Sequence, residues 1–190
     1  MVNLRKGERC DITKGTDVNK ITCAMGWDAN TYDPNETFDL DVLTFLVGAS
    51  GKINTEDDFI YFHHKNHRSG AVIYSGDNKT GDGSGDDETM EIDLSKVPDN
   101  VEKIIFAATI YDAENKAQNF GMVNNAYIRV FDTSTKEEKC RYDLDEDFSL
   151  ETGIIAGELY RRNGEWKFNA VGQGVAGGLN AVCQRFGINE

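Results

Sequence analysis

The chain has 190 residues, with 33 Asp and Glu against 20 Lys and Arg, a net charge of -13 and a pI near 4.6. Such an acidic chain lacks the general attraction for nucleic-acid phosphates that dominates that kind of binding, and it is equally unsuited to an anionic lipid surface. The length fits one domain, 1–190, able to bury roughly 70% of its unfolded surface.

Met1 to Cys10 carries basic residues with no apolar stretch behind them, which is not the pattern of a secretory signal. The longest apolar run, near Ile104 to Ala108, falls far short of the ~20 residues that span a bilayer. Cys10, Cys23, Cys140 and Cys183 form no C-x-x-C pair. Mostly buried free thiols in a reducing cytoplasm are expected, rather than a zinc knuckle or a redox motif.

Two prolines against 19 glycines, with alternating β-branched and aromatic residues, suit short strands joined by tight turns. The expected strands are Ile21–Trp27, Phe38–Val47, Phe59–Phe62, Ala71–Tyr74, Thr89–Leu94, Lys103–Tyr111, Ala126–Phe131, Glu137–Tyr142, Ile154–Tyr160 and Trp166–Val171. Ser95 to Asn100 is a turn or a single helical turn. Lys103–Tyr111 is the most apolar strand and is expected to be central. Asp132 to Thr135 joins one hairpin, and Asn163-Gly164 joins another through a type I′ turn. Leu179, Val182, Cys183 and Phe186 then fall on one face of a helix that Gly187 stops. The sum is a mainly β protein, a β-sandwich of two antiparallel-rich sheets with a short C-terminal helix.

The surplus acid is clustered. Gly76 to Glu88 lies between two strands and supplies Asp77, Asn78, Thr80, Asp82, Ser84, Asp86, Asp87 and Glu88, all oxygen donors, among flexible glycines. Calcium takes six to eight oxygens at roughly 2.3–2.6 Å in irregular geometry, whereas magnesium demands a stricter octahedron. Lys79, Gly81 and Asp82 depart from the EF-hand template, and flanking helices are absent. In Phe38–Val47, Asp39 and Asp41 share one face about 7 Å apart. Leu43, Phe45 and Val47 continue that face as apolar. Two unpaired carboxylates at a core edge would repel and lose hydration, which a cation or a nearby base relieves. Trp27-Asp28 and Tyr111-Asp112 also place an Asp after an aromatic strand end. Because loops gather at the ends of a sandwich, Asp28, Asp39, Asp41, Asp112 and the acidic loop are expected to converge. Paired carboxylates also serve glycosidases, but a crowded acidic loop is better satisfied by a cation than by one proton, and no nucleophile elbow or phosphate loop is visible. His63, His64 and His67 are expected on a surface loop. His64 stands where a zincin would need Glu.

Gly26-Trp27-Asp28, Phe38-Asp39-Leu40-Asp41, the whole of Gly76 to Glu88, Gln118-Asn119-Phe120-Gly121, Gly157-Glu158-Leu159-Tyr160 and Gly164-Glu165-Trp166-Lys167-Phe168 strongly resemble the TerD tellurium-resistance and stress-protein family. Val171-Gly172-Gln173-Gly174 and Gly177-Gly178-Leu179 extend the resemblance over nearly the whole chain. It implies a non-enzymatic, cytoplasmic β-sandwich protein of tellurite resistance and general stress response that binds calcium, commonly at two neighbouring sites. By resemblance, Asp77, Asn78, Asp86, Asp87 and Glu88, with backbone oxygens around Thr80, Gly81 and Gly83, match the calcium loop. Asp28, Asp39, Asp41 and Asp112 match the strand-end aspartates. Two segments depart from the family pattern, Asp33 to Thr37 and His63 to His67. Other stress-resistance proteins are the implied partners. The alternative is a calcium-organised module that binds a small molecule, such as a cyclic nucleotide, or assembles with proteins.

Overall fold

The computed structural model describes residues 1–29, 37–75, 81, 85–144, 146 and 148–189. The elements are β1 (Val2–Leu4), β2 (Arg9–Asp11), β3 (Lys20–Gly26), β4 (Leu40–Val47), β5 (Phe59–Ile60), β6 (Val72–Ser75), β7 (Glu88–Asp93), β8 (Lys103–Ile110), β9 (Tyr127–Asp132), β10 (Glu138–Asp143), β11 (Gly153–Arg162), β12 (Glu165–Val175) and α1 (Gly178–Arg185). They build two six-stranded sheets, ordered β1-β10-β9-β3-β7-β6 and β2-β12-β11-β8-β4-β5. Every pairing is antiparallel except β1 with β10.

Strand alternation decides which side chains meet between the sheets. Ile21, Cys23 and Met25 of β3 face Leu40, Val42 and Leu46 of β4 and Ile104, Phe106 and Ala108 of β8 across one core. Leu43, Phe45 and Val47 of β4, which alternate with Leu40, Val42 and Leu46, face the other way. With Ile105, Ala107 and Ile155 they form a second apolar layer beneath Val182, Cys183 and Phe186 at α1. A strand buried on both faces reads as a near-continuous apolar run, as in β4, interrupted at Asp41 and Thr44, and in β8 from Ile104 to Ala108. β8 is accordingly interior to its sheet, between β11 and β4.

The turns follow local chemistry. Asn163 and Gly164 take φ values of 55° and 77°, the left-handed pair a type I′ turn requires. Asp132 Oδ1 accepts from the backbone of Ser134 and Thr135 at 2.7 and 3.0 Å, which closes the other hairpin. The Ser95–Asn100 expectation becomes a 3₁₀ turn at Leu94–Lys96, capped by Asp93. Phe59–Phe62 shortens to β5, and Tyr61 instead bridges back to His64.

β1 and β2 are additional to the expected strands. Each has three residues, too few for alternation to register. Their pairing to β10 and β12 is set by the edges those strands offer. Register places the C-terminal ends of β3, β8 and β12 at the same end of the sandwich as the N-terminal ends of β4, β7, β9 and β11. The acidic segments lie there.

Candidate functional site at the acidic end of the sandwich

Trp27 organises this end. It follows β3, is buried, and its Nε1 donates to the Phe38 carbonyl at 3.3 Å, tying one sheet to the other. Its backbone N–H donates to Asp87 Oδ2 at 2.8 Å. Gly81, from the acidic loop, is buried against the indole with φ of 67°. A Cβ there would lie 2.6 Å from Trp27 Nε1, so only glycine fits.

Glu88 opens β7 with its side chain directed inward, and it is only 2% exposed. Its Oε2 accepts from the backbone N–H of Val42 at 3.0 Å. β5 pairs with β4 only at Thr44 and Phe45. The Glu88 carboxylate therefore takes up a β4 edge donor that β5 does not reach, and links the two sheets.

The remaining acids divide between the two sides. On the outer face of the β3-containing sheet, Asp86 accepts from Arg129 Nε at 2.8 Å and Nη2 at 2.7 Å, a bidentate pair, and from Tyr127 Oη at 3.0 Å. Arg129 also reaches Glu138 at 2.9 Å. Burial, followed by the Asp86 charge, pushes the Tyr127 phenol up to about 12. The bond from Asp86 raises the Arg129 guanidinium further above its usual range. Asp28 is exposed, held by Asn125 Nδ2 at 2.5 Å and through its own N–H by the Asn124 carbonyl at 2.9 Å.

On the other side, Asp41 pairs with Thr109 in the ladder, and the Asp39 carbonyl accepts from the N–H of Tyr111 at 2.8 Å. Asp112 takes a left-handed φ of 56° and accepts from Asn115 at 2.6 Å. Asp41 and Asp112 line one cavity of about 350 Å³ with Tyr111, Leu179 and Asn180.

The strand-end acids thus do share one end, with Asp87 and Glu88 between the groups on either side. Asp86 and Asp41 lie on opposite outer faces. The expected positions Asp77, Asn78, Thr80 and Gly83, together with Asp82, lie outside the described residues. Among the described residues, no three His, Cys, Asp or Glu side chains are placed to hold a metal ion. In the sequence Trp27, Tyr127 and Arg129 stand only as strand residues, with no sign of their role at this end. The nearest to a trace is Arg129, as the one charge within the apolar run Ala126 to Phe131.

Of the three histidines, His67 differs from the surface-loop expectation, while His63 is exposed and His64 half-buried. His67 is buried, and its Nδ1 accepts from the Ser69 N–H at 3.2 Å. Its Nε2 therefore carries the proton and donates to Asp58 Oδ1 at 3.1 Å. Asp58 Oδ2 accepts from the N–H groups of Asn54 and Thr55, both at 2.9 Å. His67 is thus a satisfied internal histidine that fastens the 61–70 loop to the 3₁₀ turn at Glu56–Asp58.

The TerD domain profile matches residues 1–186. General stress protein 16U of Bacillus subtilis (strain 168) is 50% identical over 188 residues, covering 98% of this chain and 97% of that protein. Tellurium resistance protein TerD of Serratia marcescens is 47% identical over 189 residues, covering 99% and 98%. Among solved structures, a homologue of telluride resistance protein from Streptomyces coelicolor A3(2) superposes with a TM-score of 0.71 at 19% identity. The match covers 90% of this chain and 96% of that one, a likeness of fold.

Proposed function

This chain belongs to the TerD family, and we propose that it is a non-enzymatic, cytoplasmic calcium-binding protein of tellurite resistance and the general stress response. The stress role rests on relatives that carry those names at about half identity over their full lengths. The calcium role rests chiefly on one observation. Acids from the strand ends of both sheets gather at one end of the sandwich around a Glu88 carboxylate that is buried and spans the sheets.

The donor chemistry fits the ion. Carboxylates, an amide and main-chain carbonyls are hard oxygen donors of the kind calcium selects, and their irregular spacing suits its tolerant coordination. In this reading Asp28, Asp39, Asp41, Asp87, Glu88 and Asp112 supply oxygens from the strand ends. The loop supplies the rest, from Asp77, Asn78, Thr80, Gly81 and Gly83. Asp86 roots the loop on Arg129. The bound ion would relieve like-charge repulsion at the crowded end and lock the loop onto Trp27.

The test is genetic complementation. Cells lacking the gene are expected to lose tolerance of tellurite. The wild-type gene should restore it, and a gene carrying Asp39→Asn and Asp41→Asn, expressed to the same level, should not. Equal survival of the deleted and wild-type strains would overturn the stress role. Full rescue by the double variant would overturn its dependence on calcium. A second reading, a calcium-organised ligand-binding or assembly module, is favoured by the cavity that Asp41 and Asp112 share with α1. Partner capture that depends on calcium would distinguish it.

A further inference from the structure

Cys10 comes against the backbone just before Cys140, at Lys139, 129 residues along the chain. β2 is a three-residue edge strand, and Cys10 lies opposite Phe168 in its pairing with β12. Cys140 lies in β10 of the other sheet, wholly buried on the core face. Cys10 packs against that same core. Its Sγ stands 3.8 Å from the carbonyl of Lys139, the residue before Cys140. The site lies toward the Asn163–Gly164 turn, away from the acidic end.

Cys10 is half-buried, and it lines a surface cavity of about 340 Å³. Arg9, Lys14, Arg162 and Lys167 line it as well, against Asp11 and Glu165. These four bases and two acids leave a net positive charge, in a chain whose total is -13. The other two cysteines, Cys23 and Cys183, are buried and not part of this cavity.

We propose that Cys10 and Cys140 form a redox-active dithiol that closes to a reversible disulfide between β2 and β10 when a peroxide enters the basic cavity. Against the opposing effect of burial, the neighbouring Cys140 lowers the Cys10 thiol from its ordinary range, which favours the thiolate. Cys140, beside Cys10 and buried, is held strongly in its protonated form.

The Cys10 thiolate attacks one peroxide oxygen. The O–O bond breaks, hydroxide leaves, and Cys10 becomes a sulfenic acid. The Cys140 sulfur then attacks Cys10 Sγ. The S–S bond forms, the S–O bond breaks, and water leaves with the Cys140 proton. Two thiols give two electrons to one peroxide. Closure requires the sulfurs to approach to bonding distance. β2 can make that shift, because it is an edge strand held by three ladder positions.

The experiment treats the full-length protein with stoichiometric hydrogen peroxide in chelator, blocks free thiols by alkylation and maps the peptides by mass spectrometry. The expected product is a linked Cys10–Cys140 peptide pair lacking two hydrogens, restored to two alkylated peptides by dithiothreitol. In Cys140→Ser, dimedone should label Cys10. Cys183→Ser should behave as wild type. The wild-type protein alone decides the outcome if Cys140→Ser fails to fold. The proposal is overturned if Cys10 stays fully alkylated at peroxide doses that oxidise glutathione, or if it forms only intermolecular disulfides or sulfinic acid.

Discussion

Glu88 is the most informative residue to change, because two substitutions separate its parts. Glu88→Ala removes the acceptor of the Val42 N–H. An unpaired buried donor costs about 1–3 kcal/mol, and loss of the side-chain methylene adds about 0.8 kcal/mol. The expected destabilisation is therefore about 2–4 kcal/mol, or roughly 5–15 °C in melting temperature for a chain of this size. Glu88→Gln keeps the acceptor and the volume but removes the charge. In chelator it should melt within about 1 kcal/mol of wild type. Calcium at 100 times its dissociation constant should add about 2.7 kcal/mol per site to the wild type, a rise of about 5–11 °C. Glu88→Gln should lose that rise at the site it serves. The assay is differential scanning calorimetry of metal-stripped protein with calcium or with chelator. A Glu88→Ala protein that melts with wild type in chelator would refute the bridge between the sheets. A Glu88→Gln protein with the full calcium rise would refute the part given to its charge.

Further outcomes follow from the same geometry. Gly81→Ala should cost about 1–3 kcal/mol, from its positive φ and the approach to Trp27, and should shift tryptophan emission. Gly164→Ala meets no atom within 4 Å, so urea unfolding should show only the backbone cost of about 1–2 kcal/mol. In a spectrophotometric titration, one tyrosine should ionise only near pH 12, and Tyr127→Phe should abolish that step. Because this folded value lies above the unfolded one of about 10, Tyr127 contributes stability that is complete below pH 10 and lost as pH rises toward 12. Phe186→Ala removes a ring 4.6 Å from Phe45 and should cost about 3–5 kcal/mol by thermal melt, loosening α1.

The parts of the fold visible in the sequence are those governed by local chemistry. β4 and β8 announce themselves as near-continuous apolar strands, and the period of Leu179, Val182, Cys183 and Phe186 marks the face of α1 that packs. Asn163-Gly164 fixes a turn by backbone preference alone. β1 and β2 give no such signal, because three residues cannot show a period and their positions depend on partners more than a hundred residues away. At the acidic end, alternation puts Asp39 and Asp41 on one face with Leu43, Phe45 and Val47, which in β4 turn away from the inter-sheet core. It could not place Asp86. That carboxylate's partner, Arg129, lies 43 residues along the chain and two strands away. His67 was missed for a similar reason. A histidine amid polar residues resembles a surface loop until the Asp58 that satisfies it is brought alongside.

The central claim is that this end of the sandwich holds calcium, and isothermal titration of metal-stripped protein with calcium tests it most directly. Saturable binding of about two ions per chain is predicted, weakened at one site by Glu88→Gln and little affected by the same concentration of magnesium. A titration with no saturable heat at millimolar calcium, on protein that melts cooperatively, would contradict it.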